Sequence, residues 1–433
     1  MTGSPRPEAP ISAWRFLVPA GLAELALLTA LGWWPGAAVA GVRVALFAAA
    51  FAAYALAARH VKDAQGGAVL IWVVAVALRL VLLPLEPSLS ADAYRYLWDG
   101  HVQTEGLSPF GRTPLDDDLV GMRTPWFGLI PDPGAPTPYP PLAQLLFLAV
   151  SLAGGAVLQL KLLWIGLDLA TGWVLGRIAY HSGRSRRLTQ LLYLWSPLLV
   201  VEVAGSAHLA PLVLFPLALV VLLARVPAAS GAALGFTTMV TPAALAALPA
   251  LARRGGWRFV AGCLGGIGIL GVPYALSVAR GVTGAVKFFH DARFLEGPLL
   301  LLESAVPGTT LPRVVALAIV LGVSVWAGVR RMRAETALLW ILGTALVLTP
   351  VLRPWYALAI LPFAALRISK AWLLFTALVF LAYAVPLRDA ADPTGVLPVW
   401  VHLAVWLPTL AALAAEGHRA WMSPRAPLLS PEP

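Results

Sequence analysis

Apolar residues run along this chain in long blocks, and most of the cations sit in the short connectors between them. Phe16–Trp34, Val42–Ala58, Phe259–Leu276, Thr336–Leu352 and Ala371–Leu387 are such blocks. Each approaches the length of about 20 apolar residues that a helix needs to cross a bilayer. The pattern predicts an all-α, polytopic transmembrane helical bundle of about 12 spans. They are placed at 14–34, 42–58, 68–85, 160–180, 188–203, 211–224, 257–279, 311–329, 336–352, 355–366, 371–387 and 396–415. The stretches 140–157 and 231–251, the second broken at Pro242, read as interfacial or re-entrant.

Composition narrows the class. Of the 433 residues 59% are hydrophobic and 12% charged, too few polar groups to coat a soluble protein of this size. Residues 1–433 therefore form one integral membrane domain. The net charge of +10 does not mark a nucleic-acid partner. It gathers at Arg59/Lys62, Arg184/Arg186/Arg187, Arg253/Arg254/Arg258, Arg330/Arg331/Arg333 and Arg367/Lys370, as cytoplasmic connectors require. This places the chain in the plasma (inner) membrane with both termini cytoplasmic; a second outer loop near 280–310 carries Arg280, Lys287 and Arg293 against the rule. The single cysteine, Cys263, excludes an intramolecular disulfide.

The longest polar segment then falls outside, over 86–139. From Glu86 to Pro141 it holds ten prolines and eight acidic residues against three arginines. An irregular segment of that length in a compact protein is usually functional. Four polar or aromatic segments share this face: Ser90–Gln103, Thr137–Gln144, Glu202–Pro211 and Arg353–Tyr356. The apolar blocks and basic connectors define the topology independently of these segments, so their convergence points to one extracytoplasmic site.

Read as a helix, Asp92, Tyr96 and Asp99 share a face, with Arg95 beside them at i+3. Tyr94, Tyr96 and Trp98 offer flat surfaces for a sugar, although an interfacial helix with its aromatics in the membrane belt has the same pattern. Glu105–Phe110 reads as a turn and Thr137–Pro141 as a rigid extended lead into a helix. Asp116–Asp118 fits a solvated acidic turn better than a cation site. Glu202 and His208 stand together at a membrane boundary, and Arg353-Pro-Trp355-Tyr356 sets a cation beside two aromatics. Lys161 and Asp168, at i and i+7 on one span, suit a buried ion pair as well as a function. A lipid phosphate at this depth needs cations, and Arg95, Lys161 and Arg353 are the best placed. A sugar leaving from such a phosphate needs no protonation of the leaving group, so one carboxylate acting as base suffices.

At Asp92-Ala-Tyr-Arg-Tyr-Leu-Trp-Asp-Gly-His-Val-Gln103, Gly106–Phe110 and Tyr139–Gln144 the chain resembles the GT-C superfamily of polytopic glycosyltransferases. The resemblance is to the bacterial polyprenol-phosphate-mannose-dependent mannosyltransferases, with weaker matches at Trp195–Pro197, Glu202–His208 and Pro354–Tyr356. It implies transfer of a hexose, mannose in that family, from a polyprenyl-phosphate-linked donor to a lipid or glycan acceptor on the outer face. Asp92 maps onto the catalytic aspartate. Arg95, Tyr96, Trp98, Asp99, Gln103, Tyr139, Lys161, Glu202, His208, Arg353, Trp355 and Tyr356 are then the candidate substrate-binding residues. Membrane lipids are the remaining partners, and no cofactor is implied, the metal requirement staying open. The chain departs from the family pattern at His101, Ser108, Ala210 and Thr241. Two alternatives remain: a lipid or small-molecule transporter, favoured by Asp168 and the Pro242 break, and a catalytically inactive relative, favoured by Ala210 and Thr241.

Overall fold

The computed structural model describes residues 14–34, 39–61, 67–275, 277, 293–385 and 397–422. Arg280 and Lys287 of the second outer loop lie outside them. Among the described residues the secondary structure is helical, with one isolated bridge between Phe294 and Val351. Six helices among the described residues are long and apolar enough to cross a membrane, from Arg15–Trp33 to Val399–His418. Arg186–Leu194 and Pro197–Gly205 make a seventh only as a bent pair, kinked by 48°. Five shorter apolar helices complete the set: Gly67–Leu80, Pro141–Leu152, Ala210–Leu222, Ala334–Val347 and Lys370–Ala384. The chain is thus the all-α polytopic bundle that the apolar blocks predict.

The breaks follow from local chemistry. Pro197 has no amide proton, and the predicted span 188–203 bends where it enters the chain. The stretch 231–251 does not run through: Pro227–Thr238 ends, Thr241 is extended, and a tight turn from Pro242 leads into Leu248–Gly271. Gly256 sits there at a φ of 63°, a conformation that only glycine adopts without strain. The predicted span 355–366 becomes a 3-10 turn, Pro354–Ile360, followed by the seven-residue helix Leu361–Arg367. Leu361 through Leu366 are all buried, so this piece packs inside the bundle with little of it facing lipid.

One buried ion pair differs from the expectation. Asp168 does not face Lys161. Its Oδ2 accepts from Arg79 Nε at 2.6 Å, while Arg79 Nη1 donates to the carbonyls of Ala75 and Leu194, each at 2.8 Å. Lys161 donates instead to the carbonyls of Leu82 and Leu85. Those carbonyls lie in the turn after the Gly67–Leu80 helix, where Leu82 O also accepts from Leu85 N, and the ammonium caps that turn. Arg79 was hidden within an apolar run, and only tertiary contact reveals its role.

Candidate active site

The long loop opens with the helix Asp92–Thr104 and leads, through turns at Asp117–Met122 and Phe127–Leu129, into Pro141–Leu152. The turn expected at Glu105–Phe110 forms, with Gly106 at a φ of 76°, and Pro140 is extended before the next helix begins. Trp98 is not a sugar platform. It is buried with Val102, Leu119 and Ile130 in a small core of the loop's own, edge-on to Phe127. The physical reason is spacing: Trp98 and Val102 at i and i+4 face inward and need apolar cover. His101, a departure from the family pattern, serves the same fold by reaching the Met122 carbonyl at 3.2 Å. The acidic run is spent locally, Asp116 on the amide and hydroxyl of Thr113 and Asp118 on Arg112.

Arg95, Asp99 and Gln103 tie the loop to its surroundings. Arg95 Nε donates to Asp99 Oδ1 at 2.9 Å, and its Nη1 to the Ala135 carbonyl at 3.0 Å. Asp99 Oδ2 accepts from the Thr137 hydroxyl and from Gln144 Nε2. Gln103 donates to Gln144 Oε1 at 3.0 Å and accepts from the Tyr274 hydroxyl at 2.6 Å. Buried polar groups pair in this way because an unmade bond costs about 1–3 kcal/mol. The network fixes the helix that carries Asp92 against Pro141–Leu152 and the end of the Leu248–Gly271 helix.

Asp92 stands at the other end of that helix, in its first turn, beside the partial positive charge of the helix N-terminus. Its carboxylate is 22% exposed, and Oδ2 lies 3.9 Å from His208 Nε2. His208 is fully buried and its Nδ1 is 2.7 Å from Glu202 Oε2, while Glu202 Oε1 accepts from the Tyr383 hydroxyl at 2.9 Å. The imidazole stacks on Trp355 at 3.9 Å, and Tyr356 stands edge-on to Trp355. A single π-type turn at Val201–Gly205 presents Glu202, and Ala207 follows at a φ of 58°, which folds His208 back over it. Such turns and strained residues collect at functional sites.

Tyr96, Tyr139 and Tyr356 lie within reach of the Asp92 charge. Burial pushes the Tyr96 and Tyr139 phenols well above their ordinary range, and the neighbouring Asp92 charge adds to it. Near neutral pH these hydroxyls keep their protons and serve as donors. Tyr96 also stacks on Phe147 at 4.8 Å, with Tyr139 edge-on to both rings. Arg353 lies 4.3 Å from the centre of the Phe294 ring and 6.0 Å from that of Trp355. Phe294 is brought there by the short bridge to Val351, with Leu352 N donating to the Phe294 carbonyl at 2.7 Å. No ion pair engages Arg353 among the described residues.

Of the residues read from the sequence, Asp92, Tyr96, Tyr139, Glu202, His208, Arg353, Trp355 and Tyr356 thus meet in one place. Arg95, Asp99 and Gln103 hold the loop, Trp98 lies in its core, and Lys161, 1% exposed, caps backbone carbonyls. Tyr383, Phe294, Thr137 and Gln144 were not singled out as site residues. Gln144 lay within a quoted motif, and Tyr383 is a lone hydroxyl in an apolar block. Among the described residues no group of three or more His, Cys, Asp or Glu could hold a metal ion.

The family model described as alpha-(1->6)-mannopyranosyltransferase, N-terminal domain, matches residues 17–254, more than half of the chain. No curated protein and no solved structure matches it. The chain therefore belongs to the alpha-(1->6)-mannopyranosyltransferase family and is a multi-pass membrane glycosyltransferase of the mannosyltransferase kind.

Proposed function

We propose that this protein transfers mannose from a polyprenyl-phosphate donor to a hydroxyl of a lipid or glycan acceptor on the extracytoplasmic face, with Asp92 as general base. The family description gives an α-(1→6) linkage, and the proposal extends it to this chain. The observation that carries the reading is the setting of Asp92: a partly exposed carboxylate at a helix N-terminus, close enough for its charge to act on Tyr96 and Tyr139, and faced by His208. The acceptor oxygen attacks the anomeric carbon and its proton passes to Asp92. The bond from that carbon to the phosphate oxygen breaks, and the electron pair leaves with a phosphate that is stable as an anion. No acid is needed on the leaving side. Trp355 and Tyr356 supply flat, partly buried faces against which a sugar ring packs. The test is mannosyl transfer by the purified protein from radiolabelled polyprenyl-phosphate-mannose to a synthetic mannoside with a free primary hydroxyl. Absence of labelled product overturns the reading.

Arg353 is the cation proposed to receive the donor phosphate. It stands on aromatic rings with no carboxylate to neutralise it among the described residues, and a guanidinium matches a phosphate in a bidentate manner. Arg353→Ala is expected to raise the KM for the donor roughly tenfold or more, since charged hydrogen bonds contribute about 1.5–3 kcal/mol. Donor kinetics unchanged in this variant would remove Arg353 from the site.

The side of the membrane is tested by labelling. Asp117, Ser185 and Arg331 are all exposed, and the native Cys263 is buried. A cysteine at Asp117 is expected to react with an impermeant maleimide in whole cells, whereas cysteines at Ser185 and Arg331 react only after permeabilisation. Labelling at Ser185 in intact cells would invert the outer and inner assignment of the connectors around it.

A further inference from the structure

We propose that His208, Glu202 and Tyr383 form a proton relay behind Asp92, in which His208 Nε2 takes on the proton that Asp92 removes from the acceptor. This rests on the reading of Asp92 as base and gives a role to three buried groups which that reading leaves unused. Glu202 lies at 2.7 Å from Nδ1 and can only accept there as a carboxylate, so Nδ1 carries a proton. In the neutral ring Nε2 then presents its lone pair. That nitrogen is buried, has no hydrogen-bond partner, and faces Asp92 Oδ2 at 3.9 Å. The gap is about 1 Å longer than a hydrogen bond, and apo catalytic contacts commonly tighten on substrate binding. Asp92 is the group able to close it, because its side chain is partly exposed while the ring is clamped between Glu202 and the face of Trp355.

The proton balance is simple. The acceptor hydroxyl gives its proton to Asp92 as the new carbon–oxygen bond forms and the old bond to phosphate breaks. Asp92 hands the proton to Nε2, and the resulting imidazolium is paired with Glu202 and stacked on an indole face, where a cation is favoured. Asp92 returns to its anionic form before product leaves, and the imidazolium releases the proton to water as the site opens. His208 is a positioning residue in this scheme, acting through Asp92 and not upon the sugar.

Tyr383 makes the scheme testable. Its hydroxyl donates to Glu202 Oε1 at 2.9 Å, so a glutamine at that position would keep its oxygen toward Tyr383 and turn its amide N–H₂ toward Nδ1. That forces the opposite tautomer and places a proton on Nε2, where it can no longer accept. Turnover is measured with polyprenyl-phosphate-mannose and the synthetic mannoside, in mixtures of H₂O and D₂O. His208→Gln and Glu202→Gln are each expected to lower kcat about 10–100-fold, the range for groups that orient a reacting partner, with both KM values unchanged. The double variant is expected to be no slower than either single one. The rate of the wild type should depend on deuterium content in a curved manner, as two protons in motion require, and that of each variant linearly. A raised KM with kcat intact would make His208 a substrate ligand and overturn the relay, as would additive losses or an unaltered isotope dependence. Failure of the Asp92 reading is distinct: wild type without transfer, or Asp92→Asn with normal turnover, removes the base itself.

Discussion

Asp92→Asn is expected to lower kcat by about 10²–10⁴-fold, the usual contribution of a general base, while donor binding and yield stay near those of the wild type. Asparagine keeps the size and the hydrogen-bonding capacity of the side chain and removes its basicity. Little else should change, because among the described residues the Asp92 carboxylate makes no hydrogen bond that the fold depends on, and His208 Nε2 is 3.9 Å away. Asp99 is the control, and the structure makes it a sharp one. Both of its oxygens are taken, Oδ1 by Arg95 and Oδ2 by Thr137 and Gln144. It is also buried, 1% exposed, so a substrate hydroxyl does not reach it as it reaches Asp92. Asp99→Asn leaves the Arg95 charge buried without its partner, so it is expected to lower the yield or thermal stability of the protein while the folded fraction keeps its kcat. The reverse pattern, with Asp92→Asn active and Asp99→Asn folded but dead, would move the base to Asp99.

The contrast between these two aspartates shows what the sequence could and could not tell. Both lie on one helix and share a face by spacing, and the loop itself stands out because polar residues are rare in a chain so apolar. Spacing does not say which carboxylate an arginine between them will choose. Arg95 closes on Asp99 at i+4, and Thr137 and Gln144 arrive from 38 and 45 residues further on to fill the remaining oxygen. Trp98 misleads for a similar reason: an aromatic in an interfacial helix can face sugar or core, and only the folding back of Leu119 and Ile130 decides. Contacts that span most of the chain were beyond reach. Tyr383 meets Glu202 across 181 residues, and nothing near Tyr383 in the sequence marks it as polar machinery.

The span of the family match bears on domain organisation. It ends at residue 254, yet Phe294, Arg353, Trp355, Tyr356 and Tyr383 complete the surroundings of Asp92 and His208. An amino-terminal piece cut at that boundary would carry Asp92 and His208 without Trp355, Tyr383 and Arg353 beside them. Residues on both sides of that boundary thus contribute to the cluster around Asp92 and His208. The ion pair of Asp168 with Arg79 also changes the weight of the transporter alternative. An intramembrane carboxylate speaks for a transport pathway by default. Here it is held by an arginine that in turn binds two backbone carbonyls, a structural clamp between the helices Gly67–Leu80 and Val157–His181 and the carbonyl of Leu194.

That clamp supports the second large effect. Arg79→Leu is expected to destabilise the protein by about 3–5 kcal/mol, because it leaves the Asp168 carboxylate buried with no countercharge. The loss goes further than one pair. Glu24, fully buried on the Trp14–Trp33 helix, also faces the Arg79 charge, so two carboxyl groups lose their only nearby cation among the described residues. The Leu194 carbonyl loses its donor as well, just before the chain bends at Pro197. The bend leads directly to Glu202 and His208, so a folded Arg79→Leu fraction should show lower kcat as well as lower stability. Asp168→Leu is expected to be similarly harmful, since it strands the guanidinium instead. The double variant Arg79→Leu/Asp168→Leu discriminates between explanations. If the cost comes from an uncompensated buried charge, the double variant is more stable than either single one, because well-packed apolar residues replace buried pairs with little loss. If the arginine matters through its volume and its carbonyl contacts alone, the double variant is no better than Arg79→Leu. Melting of the three variants and the wild type in one detergent or nanodisc, followed by intrinsic tryptophan fluorescence, reads the order. A double variant less stable than both singles would show that the pair contributes through packing and not through charge.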